Sequence, residues 1–175
     1  MPELKYAAFL NLLKNKGESN YIGAVLVTDF FGVPNEFRCT HPVKPTEIQR
    51  QLYGSTLERH IGVELCGKPL LLALQKKPSL VLVKMQFLLS VREGSASPVL
   101  FVRRSGDVLK VADPAGGLSL ERKVDPQDSA FESVMVRVHE NYSEDLDKSG
   151  SLMMSYFTTW IPSNPLTEWH GQSRR

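Results

Sequence analysis

The sequence predicts a single α+β domain spanning 1–175, built on a mixed, mostly antiparallel sheet of five to seven strands. A long helical region packs across that sheet, and a C-terminal helix follows. Three observations carry this. Short apolar or alternating runs recur at 22–27, 36–40, 80–83, 98–104, 107–112, 118–124 and 131–139, with turn residues between them. One long stretch, 46–76, instead places apolar residues at helical spacing. With 175 residues, 42% apolar and 23% charged, the chain has ordinary globular composition and enough length for one sizeable core.

Taken in order, Leu4, Ala7, Ala8, Leu12 and Lys16 are spaced for a short helix with one apolar side, ended near Gly17. Ile22 to Val27 is apolar without alternation, as in a central strand covered on both faces. Gly32 and Pro34 mark a reversal, after which Phe37 and Cys39 alternate with Glu36, Arg38 and Thr40; a hairpin results. Pro45 cannot sit in a helix interior, Thr46 can cap a helix, and Gln49 stands three residues on, so the capping box T-x-x-Q sets a helix start at Thr46. Ile48, Leu52, Leu57, Ile61 and Leu65 then form an apolar stripe. Gly67 and Pro69 interrupt it, since an interior proline costs ~3 kcal/mol, and the pattern divides into a helix to about 66 and a second helical piece from Pro69 to Lys76.

The strand at 80–83 runs into 84–92, where Met85, Leu88, Leu89 and Arg92 suit a short helix and an extended strand fits nearly as well. The later strands, separated by "SG", "DPAGG" and "DPQD", read as a β-meander. Leu152, Met153, Tyr156, Phe157 and Trp160 return to helical spacing until Pro162 and Pro165, and 163–175 reads as a poorly ordered tail.

Charge and cysteine content exclude several function classes. Lys plus Arg is 21 against 19 Asp plus Glu, too even a balance to indicate nucleic acid or an anionic membrane as a partner. Cys39 and Cys66 cannot form a disulfide framework. The opening "MPELKYAAFLNLLKNK" lacks the apolar run of a signal peptide, and no segment reaches the ~20 apolar residues of a membrane span, so a cytoplasmic protein is expected.

Among chemical constellations, Cys39, His41, His60 and Cys66 are the metal-ligand candidates. Cys39 and His41 share a strand face, but His60 and Cys66 are ~120° apart around a helix and cannot easily grip one ion, so no metal site is predicted. Asp29 and Glu36, on the two strands of the hairpin, are candidates to hold a divalent cation in a ribonuclease H-like hydrolase or nuclease. There is no G-x-S-x-G elbow, and the glycines of "DPAGG" precede a strand rather than a helix N-terminus, so nucleophilic and phosphate-cradle sites are not indicated. No catalytic residue and no cofactor is assigned.

The stretch "EFRCTHPVKPTEIQRQLYG", 36–54, concentrates the remaining signal. Glu36 and Arg38 share a strand face, while Arg50 and Tyr53 are neighbours on the helix; with Gln49 they form a candidate binding cluster. Glu36, Phe37, Arg38, Thr40, Pro42, Pro45, Thr46, Gln49, Leu52, Tyr53 and Gly54 together resemble the signature of an uncharacterised bacterial protein family, an E-F-R strand leading through prolines to a P-T-x-x-Q-x-x-L-Y-G helix. The resemblance covers about residues 22–83, implies a bacterial protein and transfers no catalytic role. The sequence therefore leads to a non-catalytic protein-interaction or regulatory module that binds a protein partner. The alternative is the metal-dependent hydrolase or nuclease using Asp29 and Glu36.

Overall fold

The structure, a computed structural model, describes residues 5–15, 17, 19–29, 31–104, 120–125, 133–150 and 153. Among the described residues, seven strands form one sheet: β1 (Tyr6–Asn15), β2 (Asn20–Asp29), β3 (Pro34–Cys39), β4 (Leu80–Val83), β5 (Val99–Arg104), β6 (Glu121–Val124) and β7 (Val134–Arg137). Their order across the sheet is β3-β2-β1-β4-β5-β7-β6. β1, β2 and β3 pair antiparallel in sequence, whereas β4 joins the free side of β1 in parallel and β5 joins β4 in parallel. β7 pairs antiparallel with both β5 and β6. The architecture is the mixed α+β sheet anticipated, with helices laid across it.

The N-terminal segment corrects the expected helix: it is β1. Ala7 and Ala8 are successive residues on opposite faces of the strand, and both are fully buried. Because β1 lies between β2 and β4 and is covered on both sides, its apolar residues do not alternate, and a doubly buried strand cannot be told from a short buried helix by spacing. The meander is corrected as well. β7 enters between β5 and β6, so β6 pairs with β7 and not with β5. The strand expected at 107–112 and most of the helix expected after Leu152 lie outside the described residues, although 145–150 and Met153 are helical. The undecided segment 84–92 is helical, a 3₁₀ run over Gln86–Gly94.

The helical region begins where predicted. Thr46 is extended, its hydroxyl accepts from the Gln49 N–H, and the Gln49 side chain returns to the Thr46 N–H at 2.9 Å, completing the capping box of α1 (Glu47–Tyr53). The single stripe expected from Ile48 to Leu65 does not exist. Gly54 takes φ 53° and ends α1, a 3₁₀ turn follows, and α2 (Leu57–His60) starts in a new phase. Leu57 and Ile61 are buried, while Ile48, Leu52 and Leu65 are 69%, 79% and 46% exposed. Pro69 does not break the chain either. Ile61–Gly67 is a π-helical segment in which Lys68 N–H bonds Val63 C=O, and that wide turn leads into α3 (Lys68–Ala73) with Pro69 in its first turn.

Two cores flank the sheet. On the helical face, Val63 and Leu70 meet Leu10, Val25, Val81 and Val83. Approach is closest at Gly23 of β2, where a Cβ would stand 2.5 Å from Cys66 Cβ. On the opposite face, Leu82, Leu100, Val136 and Val138 pack with Leu146 and Met153.

Candidate functional site

Glu36 and Arg38 meet as their shared strand face requires, Arg38 Nε donating to Glu36 Oε1 at 2.6 Å. The other contacts of Glu36 were not foreseen. Its carboxylate also accepts from the backbone N–H groups of Gln75, at 3.1 Å, and Lys76, at 2.8 Å, just past the end of α3. The Lys76 N–H, then Arg38, then the Gln75 N–H hold the Glu36 carboxyl down at about 2 against an ordinary 4.5. Glu36 is thus a tie between β3 and the exit of the helical region.

Gln49 is consumed by the capping box. Arg50 donates from Nη2 to Ser19 C=O at 2.9 Å, at the turn between β1 and β2. Tyr53 stacks on His60, ring centroids 4.8 Å apart and planes 26° apart. The predicted five-residue cluster therefore divides in two. Glu36 stands opposite Val27, whereas Arg50 reaches the residue before Asn20. Asn20 and Val27 are separated by ~24 Å of strand at a rise of ~3.4 Å per residue. Local spacing was sound for each pair, but the pairs lie at opposite ends of β2.

The candidate metal ligands are similarly dispersed. Cys39 is exposed and pairs with Ala24, while Cys66 is buried against the neighbouring Gly23, so the two thiols lie on opposite faces of the sheet. Burial pushes the Cys66 thiol up. Asp29 is engaged in the turn before β3, its Oδ1 accepting from Phe31 N–H and Val33 N–H, both at 2.9 Å. Neither of the central strands β1 and β4 carries an acid, and among the described residues no group of three or more His, Cys, Asp or Glu could hold a metal ion.

The end of the molecule toward which β1, β4 and β5 all run has a different character. In open sheets the crevice beyond the carboxyl ends of parallel strands is where ligands bind. Here α1, α2 and the 3₁₀ run gather at that edge: Leu57 and Ile61 pack with Leu12 and Tyr21 near the ends of β1 and β2, with Met85 and Phe87 beside them. Arg59 donates from Nη2 to Ser90 Oγ at 2.9 Å and so bridges α2 to the 3₁₀ run. Arg38, Arg92, Arg103, Arg122 and Arg137 all face carboxylates. Arg50 and Arg59 meet no carboxylate among the described residues; a carbonyl and a hydroxyl hold them, which orients each guanidinium without neutralising it. Sequence reasoning missed Arg59 and the Tyr53–His60 pair. The seven-residue interval of those rings is two helical turns, but Gly54 interrupts the helix between them.

No protein-family model and no curated protein matches the sequence. Solved structures do match in fold. The chain superimposes on endonuclease V of Ciona intestinalis, in complex with a 23mer DNA containing an inosine followed by a ribo-adenosine, with a TM-score of 0.51 at 12% identity over 100% of this chain and 88% of that one. Endonuclease V of Streptomyces avermitilis gives a TM-score of 0.51 at 14% identity, covering 99% and 84%. These matches correct the expectation of a non-catalytic protein-interaction module with a protein partner and no nucleic acid, because the two structures on which the chain superimposes at a TM-score of 0.51 are endonucleases V, one of them in complex with DNA. The fold of this chain is similar to that of endonuclease V.

Proposed function

We propose that this chain is an intracellular nucleic-acid-binding protein on an endonuclease V-like scaffold. One observation carries the reading: the whole chain is spanned by the match to an endonuclease V bound to DNA. Arg50 and Arg59, at the carboxyl edge of the parallel strands and without a carboxylate partner among the described residues, supply the positive field that a phosphate backbone needs. The reading does not rest on Asp29 and Glu36, whose carboxylates accept from backbone N–H groups and Arg38.

The test is binding of fluorescently labelled single-stranded and duplex DNA by the full chain, followed by anisotropy at low and moderate salt. Binding that weakens linearly in the logarithm of salt concentration is the expected result. The same mixtures, incubated with Mg²⁺ or Mn²⁺ and run on a denaturing gel, report strand cleavage. Absence of binding to either form at low salt overturns the proposal.

A further inference from the structure

We propose that the Tyr53–His60 ring pair is a stacking platform for an unpaired base of DNA, with Arg50 and Arg59 taking the phosphates on either side of it. This rests on the reading of the chain as a nucleic-acid-binding protein and narrows it to a single-stranded ligand.

Four features of the carboxyl edge converge. Tyr53 is 39% exposed, a large fraction for a ring already stacked on a neighbour. His60 beneath it is half-buried, and α2 fixes it beside the buried Ile61. A base entering against Tyr53 thus meets an aromatic surface whose orientation is set in advance, and base–aromatic stacking is the sequence-tolerant component of single-strand recognition.

The charges complete the arrangement. Arg50 lies one helical turn before Tyr53 on α1, and Arg59 adjoins His60 on α2. Their bonds to Ser19 C=O and Ser90 Oγ hold the guanidiniums in place while leaving both cationic. Glu47 and Glu58, the acids of the same two helices, form no ion pair with them. A backbone phosphate on each side of a stacked base supplies the anions that this pair of arginines lacks among the described residues. Duplex DNA cannot use the ring pair without unstacking a base, so the site favours single strands.

The experiment uses the full chain, a short fluorescently labelled DNA strand and its duplex, and the same strand carrying 2-aminopurine, whose emission is quenched by stacking. The wild type is expected to bind the single strand more tightly than the duplex and to quench 2-aminopurine. Tyr53→Ala should lose about tenfold in affinity together with the quench, while Tyr53→Phe keeps both. Arg50→Gln and Arg59→Gln should each lower the salt slope by about 0.7. If circular dichroism shows that Tyr53→Ala is unfolded, Tyr53→Leu takes its place, since it keeps apolar bulk and removes the ring. A wild type that binds DNA while the Tyr53 variants leave affinity and quench unchanged overturns the platform and leaves the nucleic-acid reading standing. A wild type that binds no DNA removes both.

Discussion

Replacing Asp145 with alanine should destabilise the protein more than any surface change. Asp145 begins the helical segment at 145–150, and its side chain is 1% exposed against 13% for its partner Arg92. Arg92 donates from Nε to Oδ2 at 2.5 Å and from Nη2 to Oδ1 at 3.2 Å, a two-pronged contact that joins the 3₁₀ run after β4 to the C-terminal helical segment. The guanidinium also donates to Ser95 C=O at 2.6 Å and lies 4.2 Å from the Tyr142 ring centroid. Removing the carboxylate leaves this cation largely out of water without its hydrogen-bonded counter-charge, Glu144 acting on it only through space. Breaking one partner of a buried pair costs ~3–5 kcal/mol. For a chain of this size each kcal/mol moves the melting temperature by ~2–4 °C, so Asp145→Ala should melt ~6–20 °C lower. Asp145→Asn keeps an acceptor and should lose less. The double variant Arg92→Met/Asp145→Leu should recover most of the loss, because apolar groups of similar volume remove the desolvation cost of both charges. Urea unfolding followed by circular dichroism, with the slope checked for constancy across variants, gives the free energies. A loss below ~1 kcal/mol for Asp145→Ala, or a double variant no more stable than the worse single one, would refute the reasoning.

Four further outcomes follow from contacts described above. Glu36 has a folded-state pKa of about 2, below its ordinary 4.5, so its stabilisation is present above that ordinary value and is lost as pH falls through the interval between the two. In acid titrations of unfolding free energy, Glu36→Gln should therefore remove part of the wild type's decline in that interval. Thr46→Ala deletes the hydroxyl of the capping box and should cost ~1 kcal/mol by urea unfolding. Gly23→Ala drives a methyl against Cys66 Cβ and should cost ~1–3 kcal/mol on the same measurement, with no effect if the helical layer is less close than described. With a thiol reagent under native conditions, Cys39 should react at once and Cys66 only as the protein opens, giving a fast phase and a slow phase of equal amplitude.

Much of the fold was legible because local physics fixed it. The turn between β2 and β3, the capping box at Thr46 and the Arg38–Glu36 pair each involve residues within a few positions of one another. Where the sequence misled, longer-range packing had overridden local spacing. β1 resembles a helix on paper only because strands on both sides and layers above and below bury both of its faces. The stripe from Ile48 to Leu65 dissolves because one glycine with positive φ resets the phase of the helix, and the π-helical turn that follows moves Leu65 out of line with Ile61. In the candidate cluster, local spacing set the neighbours within each pair but not the placement of one pair relative to the other. Nothing in the spacing of residues 36–54 reveals that Glu36 reaches Gln75 and Lys76 while Arg50 reaches Ser19, since these contacts cross 39, 40 and 31 positions. The neutral partners of Arg50 and Arg59 were likewise invisible until the elements carrying Ser19 and Ser90 had been placed.

The parallel pairing of β1 with β4 also governs how the molecule is made. Ala7 lies opposite Leu80, 73 positions later, and the whole helical region falls between them. Emerging from a ribosome at ~5–20 residues per second, β1 can pair with β2 almost immediately, but its second edge must wait ~4–15 s for β4. Through that interval the nascent chain holds a three-stranded unit with an open, apolar edge, the feature that invites pairing with a neighbouring chain. Loop closure over this distance makes arrival of β4 the slow step of folding and places the aggregation hazard before it. Overexpression at reduced temperature, which slows both synthesis and encounter between chains, should accordingly raise the soluble yield more than any change to the finished surface.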